Sequence, residues 1–176
     1  MKFSQSFMPT IKIFKASIFF LTLLAFISGC YTFRDISIPP NVKTARVKII
    51  ENKAPYINPQ LAPRLLDRLR QKINNQTRLT QVPGEDAHYE ISGVITDYRI
   101  TTTGISNQQS SINRLTVTVR ITFQNRLEPS KDFEADISRN FDFDANLSLQ
   151  QAEATKGDEI IRNMTDEIFN RIFSNW

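Results

Sequence analysis

Leu115-Thr116-Val117-Thr118-Val119-Arg120-Ile121-Thr122-Phe123 alternates apolar and polar side chains over nine positions without a break. Successive side chains of a strand point to opposite sides, so Leu115, Val117, Val119, Ile121 and Phe123 share one face, and Thr116, Thr118, Arg120 and Thr122 the other. A helix would scatter the same residues around its circumference. The segment therefore specifies a sheet with one apolar and one polar face, and the rest of the chain must supply its neighbours and its cover.

Two further strand signals flank it. Upstream, Tyr89 to about Thr101 places Tyr89, Ile91 and Ile95 on one face; near Asp97 the phase shifts and Tyr98 and Ile100 take over, as a bulge would require. Downstream, from Lys131 to Phe143, Phe133, Ala135, Ile137, Phe141 and Phe143 stand opposite Glu134, Asp136, Ser138 and Asn140. Only short polar links separate the three, so an antiparallel meander is the economical topology. Earlier still, Ala45, Val47 and Ile49 alternate with Thr44, Arg46 and Lys48 between Lys43 and Ile50, which predicts another half-buried strand. A short strand is expected around Leu79 to Val82.

The cover comes from two amphipathic helices. Asn58 followed by Pro59 reads as an N-cap with proline at the first helical position. Leu61, Leu65, Leu69 and Ile73 recur every fourth residue, with Leu66 widening the stripe, so this helix is predicted to run to about Asn74. Pro63 either lies in its first turn or moves the start a few residues later. Near the end of the chain, Ser148 and Gln151 form a capping-box pattern, and Ile161, Met164, Ile168, Ile172 and Trp176 make an apolar stripe flanked by Phe169 and Phe173. Gly157 weakens the first half and moves the expected start towards Asp158. The prediction is an α+β fold, a two-layer sandwich of a mostly antiparallel four- to five-stranded sheet with two helices on one face, in the order β-α-β-β-β-α.

Residues 1–29 read differently. A basic stretch with Lys2, Lys12 and Lys15 precedes an uncharged apolar run from Ala16 to Ile27, 12 residues long. A bilayer-spanning helix needs about 20 apolar residues, so this run fits a signal-peptide core. Ile27-Ser28-Gly29-Cys30 then resembles the lipobox of bacterial lipoproteins, which implies that Cys30 becomes the first mature residue and carries acyl chains. Residues 30–41, with Pro39-Pro40, read as a lipidated tether that spans at most ~40 Å. Residues 42–176 are expected to form a single α+β domain.

Composition and side-chain inventory narrow the function. The formal charge is +4 from 22 basic and 18 acidic residues; residues 1–29 hold three of the lysines and no acid, so 19 bases against 18 acids leave +1 beyond them. No sustained basic patch with interleaved aromatics points to nucleic acid. Cys30 is the sole cysteine, which rules out an internal disulfide, and His88 is the sole histidine, with no nucleophile motif beside it. A metal site is not expected from this inventory, nor a cofactor, nor an enzyme. Glu85, Asp86, Asp142, Asp144, Asp158 and Glu159 fall where turn and cap chemistry accounts for acids.

Read together, the tether Cys30-Tyr31-Thr32-Phe33, Ile38-Pro39-Pro40, the helix start Asn58-Pro59 with Leu61, the run Asn113 to Asn125, Phe141 with Phe143, and Asn175-Trp176 resemble the LptE-type lipopolysaccharide-assembly lipoproteins. The resemblance covers essentially residues 30–176. It implies an outer-membrane, lipid-anchored, periplasm-facing protein that plugs the LptD β-barrel, helps it assemble, and contacts lipopolysaccharide on its way to the outer leaflet. A lipoprotein adaptor or activator of a periplasmic envelope machine is the alternative that the same features allow. For contact with lipopolysaccharide, Arg114, Arg120, Arg126 and Lys131 are the candidate residues. The three arginines punctuate the central strand and its ends and Lys131 opens the next; a planar guanidinium holds a phosphate through two charge-assisted hydrogen bonds, and the alternative is that these are solvated strand-end charges that deter edge pairing.

Overall fold

The alternation around Val119 is realised as the middle of a mixed five-stranded sheet. A computed structural model describes residues 38–103 and 112–174; Cys30, the signal segment and Trp176 lie outside these. The elements are β1 (Thr44–Asn52), α1 (Leu61–Gln76), β2 (Thr80–Gln81), β3 (Tyr89–Thr103), β4 (Ile112–Asn125), β5 (Phe133–Asp144) and α2 (Leu149–Phe173), in the sheet order β2-β1-β3-β4-β5. β3, β4 and β5 form the expected antiparallel meander, which supplies most of the paired residues; β1 runs parallel to both β2 and β3.

Each strand's apolar face is buried under the two helices. Leu115, Val117, Val119, Ile121 and Phe123 are all buried, together with Ile91, Ile95, Phe141 and Phe143. Leu65, Leu69 and Ile73 of α1 and Met164, Ile168 and Phe169 of α2 close over them. Tyr89 meets Phe123 edge-on at 4.9 Å between ring centres, and Phe123 stacks on Phe133 at 5.3 Å. Gly93 sits where Ile50 and Ile121 converge from the neighbouring strands; a Cβ there would lie 3.1 Å from Ile121 Cδ1.

Two local rules set the connections. Asn125 Oδ1 accepts from the Leu127 and Glu128 N–H groups while Asp132 Oδ1 accepts from Asn125 N, which fixes the turn between β4 and β5. Asn58 Oδ1 accepts from the N–H groups of Gln60 and Leu61 in a turn ahead of α1, but the N-cap is Gln60, whose side chain makes no capping bond, so Pro59 precedes the helix rather than opening it as expected; Pro63 falls in the first turn, where no intrahelical donor is lost. Ser148 and Gln151 form the full capping box.

Four expectations need correction here. Ile49 is expected in the core from its alternation, but the pairing of β1 with β3 shifts register between Val47 and Ile50, so Ile49 is 76 % exposed and Ile50 takes the buried position at 4 %. A bulge inserts one residue and reverses the facing of the residues beyond it. The bulge expected near Asp97 is present between Ile95 and Asp97, and Tyr98 is buried; Ile100, however, remains 38 % exposed. Gly157 does not interrupt α2, which runs unbroken from Leu149; the glycine lies against α1, with Arg64 Nη1 3.3 Å from where a Cβ would stand. Lys131 is part of a 3₁₀ turn, Pro129–Lys131, ahead of β5.

Candidate functional site

The face of the sheet turned away from the helices is where side chains are free to act. Along β4 and β5 it is a ladder of directly opposed polar pairs. Thr116 Oγ1 donates to Asn140 Oδ1 at 2.8 Å and Thr118 Oγ1 to Ser138 Oγ at 3.0 Å. Arg114 grips Asp142 with Nε and Nη2 at 2.7 and 2.9 Å, and Arg120 grips Asp136 at 2.7 and 3.0 Å with Glu134 at 3.4 Å. These forks hold the carboxyls of Asp136 and Asp142 below the usual aspartate range and raise both guanidinium values, in each case chiefly through the hydrogen bonds themselves.

The four candidate cations do not converge. Arg114 and Arg120 lie six residues apart on one strand, on the order of 20 Å at ~3.4 Å per residue, and each is neutralised by its own partner across the ladder. Lys131 pairs with Glu128 at 2.9 Å, which raises its pKa, and Arg126 lies 3.9 Å from Glu90 at the opposite end of the face from Arg114.

Sequence reasoning missed the corner where β1, β3 and the end of β4 meet. Glu90, opposite in facing to Tyr89 and Ile91, is only 6 % exposed because Arg46, Lys48 and Arg126 close over it. Lys48 Nζ approaches to 2.5 Å and Arg46 Nη1 to 3.6 Å. Alternation already put Arg46 and Glu90 on polar faces. It could not bring them together, because that depends on the parallel pairing Arg46↔Glu90.

The other conspicuous groups have structural partners. His88 Nδ1 accepts from Lys43 N at 2.9 Å and its own N–H donates to Thr44 Oγ1, so it latches the start of β3 to that of β1. Tyr98 donates its hydroxyl to Glu153 Oε1 at 2.8 Å, and burial pushes its phenol well above the ordinary value, so it stays protonated. Tyr98 and Glu153 border a cavity of about 440 Å³ between the two helix starts, lined also by Asn58, Arg64 and Gly157. Among the described residues, no three His, Cys, Asp or Glu side chains come together as a metal site, and no helix is long and apolar enough to cross a membrane.

Against known proteins, residues 42–174 match the family model described as LptE, lipopolysaccharide-assembly. No curated protein matches significantly. Among solved structures, the PelC dodecamer from Paraburkholderia phytofirmans is similar at a TM-score of 0.50 and 11 % identity, over 78 % of this chain and 94 % of that one. A minor lipoprotein from Acinetobacter baumannii has a TM-score of 0.43 and 16 % identity, over 76 % and 92 %. An uncharacterized lipoprotein B from Nitrosomonas europaea stands at a TM-score of 0.43 and 17 % identity, over 74 % and 80 %. At these identities the first likeness speaks to fold alone, and the other two carry no argument.

Proposed function

This chain belongs to the LptE lipopolysaccharide-assembly family, and we propose that it is an outer-membrane lipoprotein, anchored through Cys30, that plugs and helps assemble an LptD-like β-barrel and assists lipopolysaccharide to the outer leaflet. The observation that carries this reading is the ladder on the open face of the sheet. A plug has to meet a barrel lumen that is itself polar, and it has to do so without burying unpaired charge. Here Thr116, Thr118, Asn140 and Ser138 offer hydroxyl and amide groups, while Arg114 and Arg120 enter already compensated by Asp142 and Asp136. The helices bury the other face, so the ladder is the face of the sheet left open to a partner. The role is one of binding and placement, with no reaction step assigned to any side chain.

Lipopolysaccharide contact is assigned to the same face, through Arg114 and Arg120, with Arg126 and Lys131 at its end. Because each arginine is already forked onto a carboxylate, a phosphate must compete with Asp142 or Asp136. Such contact is therefore sensitive to salt. Co-expression with the cognate barrel tests the whole reading: the tagged chain should retain the barrel through purification in detergent. A folded chain that leaves the barrel behind and retains a soluble or inner-membrane enzyme would overturn the plug and establish the adaptor.

A further inference from the structure

Along β4 and β5 each arginine of the open face has a carboxylate directly across the ladder, but at the β1 corner the matching fails. Arg46, Lys48 and Arg126 surround the single buried carboxylate of Glu90 at 3.6, 2.5 and 3.9 Å. The other acid within reach, Glu85, lies 3.8 Å from Arg46 and is 87 % exposed. Lys48 alone satisfies Glu90 by distance. Arg46 Nη1 is buried and has no acceptor within hydrogen-bond range among the described residues, since 3.6 and 3.8 Å exceed that range. A buried donor without an acceptor is costly.

A groove of about 610 Å³ opens beside this cluster along the edge of β1, where β2 pairs only with Thr44 and Ala45. Arg46, Lys48 and Arg70 line it, together with Gln81 and the exposed Ile49. Arg70 reaches it from α1 and donates to the Val47 carbonyl at 2.8 Å. Glu51, the acid in its wall, is held by Lys53 at 2.7 Å.

We propose that this groove binds the phosphate group of an amphiphile, with Arg46, Lys48 and Arg70 as its donors and Ile49 as the apolar neighbour. The proposal rests on the lipopolysaccharide reading above and adds to the ladder a phosphate contact at the β1 edge. Phosphate fits better than a carboxylate because the three donors Arg46, Lys48 and Arg70 outnumber Glu90 by two, or by one with the exposed Glu85 counted, and a phosphate ester carries about −1.5 to −2 at neutral pH. A guanidinium fork adds the geometry for two parallel bonds.

The test uses the full lipidated chain in non-ionic detergent, titrated with lipopolysaccharide and with the same material after enzymatic dephosphorylation. The intact form should bind about tenfold more tightly or better, and millimolar inorganic phosphate should compete. Arg46→Gln with Lys48→Gln should remove that difference, whereas Arg162→Gln, on the exposed side of α2, should keep it. Arg70→Gln, which leaves Glu90 untouched, gives a second reading if the double variant melts early, and it too should weaken binding severalfold. Binding of phosphatidylglycerol vesicles equal to that of lipopolysaccharide, and equally dependent on Arg46, would identify the source as a membrane headgroup and uphold the phosphate site. Equal affinity for the two lipopolysaccharide forms, or unchanged affinity in the folded Arg46 and Arg70 variants, overturns it. Retention of the barrel is scored separately, so loss of this site and loss of the plug are distinct results.

Discussion

Val119 and Thr118 are adjacent residues with opposite surroundings. Val119 is fully buried between the sheet and the helices; Thr118 faces Ser138 on the open side. Val119→Asp puts an unpaired carboxylate in apolar surroundings, at several kcal/mol, which is comparable with the whole stability of a domain. Thr118→Asp stays in water and should cost about 1 kcal/mol or less. Thermal melting separates the two, and equal midpoints would invert the assigned facing of β4. The ladder carboxyls make a second residue-level prediction. Asp136 and Asp142 have folded pKa values below the ordinary 3.8, so their contribution to stability is present above the unfolded value and disappears as pH falls through the lowered ones. Carboxyl-carbon NMR should show both titrating below the ordinary aspartate range, with Arg120→Gln returning Asp136 alone towards 3.8. Both groups are solvent-exposed, so added salt should shrink the effect.

Among the elements, α2 offers the clearest test of local sequence chemistry. Gly157 has ordinary helical backbone, and the Cβ of an alanine would displace only the flexible tip of Arg64. Gly157→Ala should therefore stabilise the chain by roughly 0.5–1 kcal/mol. Ser148→Ala dismantles the capping box and should cost about 1 kcal/mol. Denaturant midpoints moving in these opposite directions would check both. The same elements show what could be read from sequence. Period-two runs located β3, β4 and β5 and their faces, because hairpin neighbours are close along the chain and each face meets a different solvent. The box at Ser148 was visible for the same reason: it is a contact within three residues. Ile49 was misplaced because a bulge leaves no mark on composition. The Glu90 corner was hidden because Arg46, Lys48 and Arg126 come from distant segments, joined only by the parallel pairing of β1 with β3. By contrast, Arg114 and Arg120 were legible as polar-face residues, while their individual neutralisation by Asp142 and Asp136 required the register of β5.

At the scale of the molecule, the proposed anchor has its own check: Cys30→Ser should leave a precursor with its first 29 residues uncleaved, measured by intact mass of the membrane-fraction protein. A mutant still cleaved before residue 30 and still in the outer membrane would reject lipid attachment at that position. The parallel placement of β1 has a further consequence, which concerns time. Ala45 finds its partner at Tyr89, and the sheet beneath Val47 and Ile50 is complete only when β4 has joined β3. Pairings this far apart along the chain form slowly, and a polypeptide is made from its N-terminus onwards. The first strand to emerge is thus among the last to be seated. While it waits, Val47 and Ile50 remain open to water and to any holding chaperone.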